Sequence, residues 1–218
     1  MKRFYTCLFL LIGVITIKSQ AQATNDPNAK KILDGVSTKF KTFKTVKATF
    51  TYKVENAAGK ALSSKTGSVS MKGTKYRVNI VGQEIFSDGV NVWTYDKAAN
   101  EVTITKLDNN SNTLTPQKLF TNFYDKDFLY KLNGEKKQGT KTLQEIEMTP
   151  TDKTKPFHKV YVYVDKNGKT LSSTKVMEKS GNRYSYTVNT LTPNGTIDDK
   201  QFVFDVKKYP GVEVVDLR

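Results

Sequence analysis

The sequence predicts a mainly β protein with short helices (α+β): one curved antiparallel sheet of about eleven strands around an apolar hollow, partly plugged by helices. Three observations predict it. Period-two alternation of apolar and polar residues recurs in short runs from residue 45 to residue 192. Turn signals such as "ENAAGK", "LNGE", "DKNGK" and "KSGN" separate those runs. Only two segments have a helical period, too few to cover the apolar faces of so many strands, and a sheet this long curls or closes.

The first 23 residues are expected to lie outside the fold. Lys2 and Arg3 form a basic head, Leu8 to Ile17 an apolar run, and Ala21-x-Ala23 a small-residue cleavage site. This is the three-part signature of a secretory signal peptide, too short for a transmembrane helix. Cleavage falls after Ala21 or Ala23, and residues 24–218 form one domain with no linker or internal repeat. Cys7, the only cysteine, lies in the leader, so the mature chain is expected to have no disulfide and no cysteine metal site. Removing Lys2, Arg3 and Lys18 takes the net charge from +14 to +11. Scattered lysines read as solubility, and no basic run interleaved with aromatics points to nucleic acid.

Asp26-Pro27 is an N-cap followed by proline in the first turn, and Ala29, Ile32, Leu33, Val36 and Phe40 then recur at helical spacing. This predicts a helix over about 27–42. From Val46 the period becomes two: Val46, Ala48, Phe50, Tyr52 and Val54 alternate with polar residues. A weaker strand passes through Val69 and Met71, and another through Tyr76, Val78 and Ile80. In "QEIFSDGVNVWTYD" two runs meet at Asp88-Gly89, a hairpin signal. Val102 and Ile104 complete a meander of about six strands over 45–107. Thr115-Pro116 repeats the cap-plus-proline signal and opens a short second helix with Leu119, Phe120 and Phe123, and Phe128 as a further candidate. Strands return at about 128–133, 141–149, 157–165, 170–178 and 183–192. In the third, Phe157, Tyr161 and Tyr163 face one way and Val160, Val162 and Val164 the other. In the last, Tyr184, Tyr186 and Val188 share a face. Phe202-Val203-Phe204 to Val214 reads as a short strand and a closing edge.

The sequence offers no catalytic centre. His158 is the single histidine, no metal-ligand spacing is present, and neither a nucleophile elbow nor a phosphate-cradling glycine loop occurs. The reading is therefore not an enzyme, with no cofactor and no metal. What remains is hydrophobic. A hollow lined by Phe50, Tyr52, Tyr76, Val78, Ile80 and Trp93, with Tyr95 beside Trp93, suits acyl chains, and Leu119, Phe120 and Phe123 suit a lid. An ordinary core reads the same from periodicity alone.

Gln83-x-Ile85-x-Ser87-Asp88-Gly89-x-x-Val92-Trp93-x-Tyr95-Asp96 resembles the signature hairpin of the LolA family, the periplasmic outer-membrane lipoprotein carriers. Thr115-Pro116 with Leu119 and Phe120 resembles that family's lid-helix start, and Phe202-x-Phe204 with Pro210-Gly211-Val212-x-Val214-x-Asp216 resembles its tail. The resemblance covers essentially the whole mature chain. It implies an incomplete, half-open barrel with helices covering the mouth, Ser87, Asp88 and Gly89 as a structural hairpin, and Pro116, Leu119, Phe120 and Phe123 as the lid. With no coiled-coil or obvious interface pattern the chain is expected to be a monomer, and the resemblance implies a periplasmic carrier whose cargo is acylated lipoproteins. These are taken from an inner-membrane ABC transporter and handed to an outer-membrane acceptor, or to the outer membrane itself. Each exposed methylene costs about 0.8 kcal/mol, so acyl chains need cover to cross water. One departure concerns the lid. Members of the family carry a lid-bonding arginine on the strand before the hairpin, whereas Gly73 stands there here, with Lys72, Lys75 and Arg77 nearby. Gln117 and Lys118 are polar at lid positions that are often apolar in relatives. Two other functions fit the same scaffold: a periplasmic lipid or glycolipid binder, and a lipid-sensing regulator, although the chain has no room for the second domain such regulators carry.

Overall fold

A computed structural model describes residues 25–108 and 124–218. The expected signal peptide, 1–23, lies outside them. The chain begins with a helix, α1 (Pro27–Lys41), and six strands follow: β1 (Thr45–Glu55), β2 (Ala61–Lys72), β3 (Lys75–Ile80), β4 (Gln83–Ser87), β5 (Asn91–Asp96) and β6 (Glu101–Lys106). A single helical turn, α2 (Tyr124–Asp127), leads into β7 (Phe128–Gln138), β8 (Lys141–Pro150), β9 (Phe157–Asp165), β10 (Thr170–Glu178) and β11 (Arg183–Pro193). A last short strand, β12 (Glu213–Asp216), closes the chain.

All twelve strands join one sheet in the order β12-β6-β5-β4-β3-β2-β1-β11-β10-β9-β8-β7. The two meanders meet where β1 pairs antiparallel with β11. The outermost strands, β12 and β7, are not paired with each other, so the sheet does not close into a barrel. Every pairing is antiparallel except β12 with β6. The expected strand at Phe202–Phe204 is instead the end of a 3-10 turn, Asp199–Phe202, and extended chain after it. There the apolar alternation belongs to a segment lying on the sheet and not paired within it.

The start of α1 is fixed to the β7 edge. One Asp26 carboxylate oxygen caps Asn28 and Ala29, and the other accepts from the Leu132 N–H at 2.9 Å. The Asp26 N–H donates to the Tyr130 carbonyl. The bonds to its carboxylate, with the Leu132 contact foremost, hold the carboxyl below its ordinary value. The helix buries Ala29 and Leu33 on Ile146, Met148, Val160, Val162 and Val164, with Ile32 and Val36 at the margin. Each such aliphatic burial stabilises by about 1.5–3 kcal/mol. Its far end sends Phe40, together with Phe43 just beyond it, to a second cluster around Val46, Ala48, Val69, Met71 and Tyr76. Phe128, a candidate for the second helix, instead opens β7. Phe157 departs from the strand period and stacks on Phe128 at 6.2 Å on the α1 side.

Register separates the two faces of the first meander. Val46, Met71, Tyr76 and Ser87 form one cross-strand row, and Ala48, Val69, Val78, Ile85 and Thr94 the next. These rows face α1. The alternate residues, Phe86, Trp93, Tyr95, Val102 and Ile104, face the other way and lie beneath the returning C-terminal segment.

Candidate functional site

The α1 face of β1, β3, β10 and β11 carries a strip of large residues that is only half covered. Phe50, Tyr52, Val78 and Ile80 are half-buried, as are Tyr184, Val188 and Val176, and Tyr186 is 43% exposed. The pairing of β1 with β11 sets Tyr52 opposite Tyr186 and Phe50 opposite Val188. The Tyr52 ring lies 4.9 Å from that of Tyr186 and is stacked at 6.0 Å on that of Tyr184. Next to this group Phe50 lies across Gly67 of β2. A Cβ there would sit 2.5 Å from Phe50 Cζ and 2.8 Å from the Asn79 carbonyl, so only glycine leaves room for the ring.

Tyr186 shows what kind of surface this is. Solvent reaches it, yet desolvation raises its phenol above the ordinary value, and the same holds for the half-buried Tyr52. The strip is thus partly shielded by protein and partly open to solvent.

Of the seven residues expected to line one hollow, the structure gathers five on this face: Phe50, Tyr52, Tyr76, Val78 and Ile80. Tyr76 is packed away, 5% exposed, and burial raises its phenol above the ordinary value. Trp93 and Tyr95 lie on the opposite face, because Ile85 pairs with Thr94 and Phe86 with Trp93. There Phe204 meets Phe86 and Tyr95, each at 5.6 Å, and Tyr209 stacks on Phe204 at 4.3 Å. The second apolar face of the hairpin thus touches the chain's own C-terminal segment. The lid residues Pro116, Leu119, Phe120 and Phe123 lie outside the described residues.

The hairpin is held internally. Ser87 is fully buried and accepts from the Gly89 N–H. Asp88 accepts from the Val90 and Asn91 N–H groups at 2.8 and 2.7 Å. These bonds outweigh the opposing effect of burial and lower its carboxyl. Gly89 sits at φ +93° with its α-carbon against Thr74, where a Cβ would come within 2.5 Å of Oγ1. The cations around Gly73 are engaged away from α1. Lys72 and Lys75 both bind Asp199 at 2.7 Å, holding that carboxyl down at about 2. Arg77 lies on the outer face, bonded to Glu84 at 2.7 Å and 4.6 Å above the Phe86 ring.

Glu84 is the buried charge of that outer face. Burial alone would raise its carboxyl, but hydrogen bonds from Arg77 and Lys97 leave it below its ordinary value. Among the described residues no group of three or more His, Cys, Asp or Glu side chains could hold a metal ion.

The family described as "Outer membrane lipoprotein carrier protein LolA" matches residues 41–205. An outer-membrane lipoprotein carrier protein of Haemophilus influenzae is 30% identical over 179 residues, 78% of this chain and 80% of the relative. One from Pseudomonas putida is 25% identical over 215 residues, covering 94% and 96%. The crystal structure of an uncharacterised conserved protein from Thermus thermophilus superposes with a TM-score of 0.59 at 13% identity, covering 87% of this chain and 99% of that one, a likeness of fold.

Proposed function

The chain belongs to the LolA family of outer-membrane lipoprotein carriers, matched across residues 41–205, and on that premise we propose that it binds the acyl chains of lipoproteins on its α1 face and shuttles them across the periplasm. The family is one of non-enzymatic chaperones, so the work is binding and release. The observation that carries the reading to these residues is the half-covered apolar strip through Phe50, Tyr52, Val78, Ile80 and Tyr186. Burying a methylene there recovers the roughly 0.8 kcal/mol that its exposure to water would cost, so chains lifted from a membrane need not face water. Cargo must also leave, and a strip that protein groups already half cover keeps that gain moderate. The donor in this reading is an inner-membrane ABC transporter, the acceptor lies at the outer membrane, and the carrier is monomeric and exported by its leader.

The test is release. Purified protein without residues 1–23 is added to spheroplasts that make a labelled triacylated lipoprotein and the transporter from the same source. The expected result is label in the soluble fraction, co-eluting with the protein in a one-to-one complex. Phospholipid in the complex in place of lipoprotein supports the lipid-binder alternative and contradicts the carrier reading.

A further inference from the structure

Among the described residues three tyrosines place the hydroxyl on a protein partner: Tyr95 on Asn100, Tyr124 on Asp34 and Tyr209 on Glu84. Buried or half-buried phenols ordinarily do so. Tyr52, Tyr184 and Tyr186 are the contrast. They are three neighbouring rings on one face of the sheet, joined by ring contacts of 4.9 and 6.0 Å, and none of their hydroxyls makes a hydrogen bond among the described residues. Lys65 pairs across the strand from Tyr52, on the same face, and makes no ion pair among the described residues. The rest of the strip is different in kind. From Phe50 toward the far end of α1 the face is aliphatic and phenyl: Ala48, Val69, Val78, Ile85, Leu191 and Phe43. The face is therefore polar at one end and apolar at the other.

We propose that Tyr52, Tyr184 and Tyr186, with Lys65, form the head-group end of the hollow and take the ester-bearing glyceryl unit of a diacylglyceryl-modified peptide. The acyl chains then run past Phe50 toward Val78 and the C-terminal end of α1. This rests on the carrier reading and gives it a direction. The chemistry matches at both ends. Ester carbonyls accept hydrogen bonds and carry no donor, and three phenol O–H groups are donors without an acceptor among the described residues. The ammonium of Lys65 adds a charge beside them, and the ring faces tolerate the first methylenes of the chains. Across the sheet from β1 to β4 the half-buried Val78 and Ile85 continue the face over about 14 Å, at the spacing of neighbouring strands.

The experiment uses a synthetic S-diacylglyceryl-cysteine peptide carrying a photoactivatable diazirine either next to the ester or at the terminal carbon of the chain. After irradiation the labelled peptides of the protein are identified by mass spectrometry. Ester-proximal label on the strands holding Tyr52, Tyr184 and Tyr186, with terminal label on those holding Ala48, Val78 or Phe43, is the expected result. A reversed or position-independent pattern overturns the direction while leaving acyl binding on this face intact. Absence of label from this face with both probes overturns the direction and the carrier reading together. Phosphatidylglycerol with the same two diazirines is the second arm, and preferential labelling by it overturns the assignment to a lipopeptide head. The triple variant Tyr52→Phe, Tyr184→Phe, Tyr186→Phe keeps the rings and removes the hydroxyls. It is expected to bind the ester-linked peptide about five- to tenfold more weakly and an ether-linked analogue, with no carbonyl, unchanged. Equal loss for both analogues, or none for either, contradicts the proposal.

Discussion

The two faces of strands β3 to β5 carry similar apolar residues to opposite ends. On the outer face Phe86, Trp93 and Tyr95 are all buried under Phe204 and Tyr209, and Glu84 there is paired with both Arg77 and Lys97. On the α1 face Val78, Ile80 and Ile85 are only half-buried, and the strip continues into phenols without hydrogen-bond partners among the described residues. One face is a finished core, and the other is the surface on which the proposed function places the ligand. The difference does not lie in the hydrophobicity of the strands. Among the described residues it lies in which face the chain itself returns to cover.

The sharpest way to break this contrast is to remove the cover. Phe204→Ala deletes a ring 5% exposed and in contact with three aromatic rings, and should cost about 3–5 kcal/mol in denaturant unfolding. Phe50→Ala on the open face should cost less, about 2–3 kcal/mol, because that ring keeps some exposure to solvent. Equal costs would mean that both faces are core. Glu84→Gln should cost about 2 kcal/mol at pH 7, below a fully buried pair because both cations are partly exposed. The sign with pH follows from the lowered carboxyl. Its contribution is present above the ordinary value of 4.5 and is lost as pH falls through the lower folded value, so the wild-type advantage over Glu84→Gln should shrink below about pH 4.5. Gly67→Ala should cost about 1–3 kcal/mol by pushing Phe50 off β2, and it should weaken acyl binding by more than its stability cost explains. The smallest effect is expected at Tyr186→Phe, within about 0.5 kcal/mol of wild type in stability, since the hydroxyl bonds to nothing among the described residues.

Local signals in the chain are readable where a residue acts on its neighbours. Asp26-Pro27 caps α1, the alternation from Val46 to Val54 is β1, and Asp88-Gly89 turns the β4–β5 hairpin with its carboxylate on the next N–H groups. Side assignment is not readable for β5, because Trp93 and Tyr95 on one face and Val92 on the other satisfy either choice. The parity of the turns carries the missing signal: Ile80 pairs with Gln83, so Val78 meets Ile85 and then Thr94, which puts Trp93 on the far side. Phe202 and Phe204 have the spacing of a strand, but they cover the outer face from an irregular segment, and nothing local distinguishes the two. The parallel pairing of β12 with β6 and the meeting of Tyr52 with Tyr186 join residues more than a hundred positions apart. Period alone reveals the apolar face of each strand, not which strand lies beside it or what lies above.

The central claim is that the α1 face, and not the strapped outer face, carries the acyl chains. A matched pair of surface changes tests it in the spheroplast release assay. Val78→Glu puts a charge into the half-buried strip, while Val206→Glu puts one on the C-terminal segment, where Val206 is 49% exposed. With both variants folded by circular dichroism, Val206→Glu should release lipoprotein as wild type does, and Val78→Glu should lose at least about tenfold, as a charge set against acyl methylenes requires. Normal release by Val78→Glu, or selective loss by Val206→Glu, would contradict it.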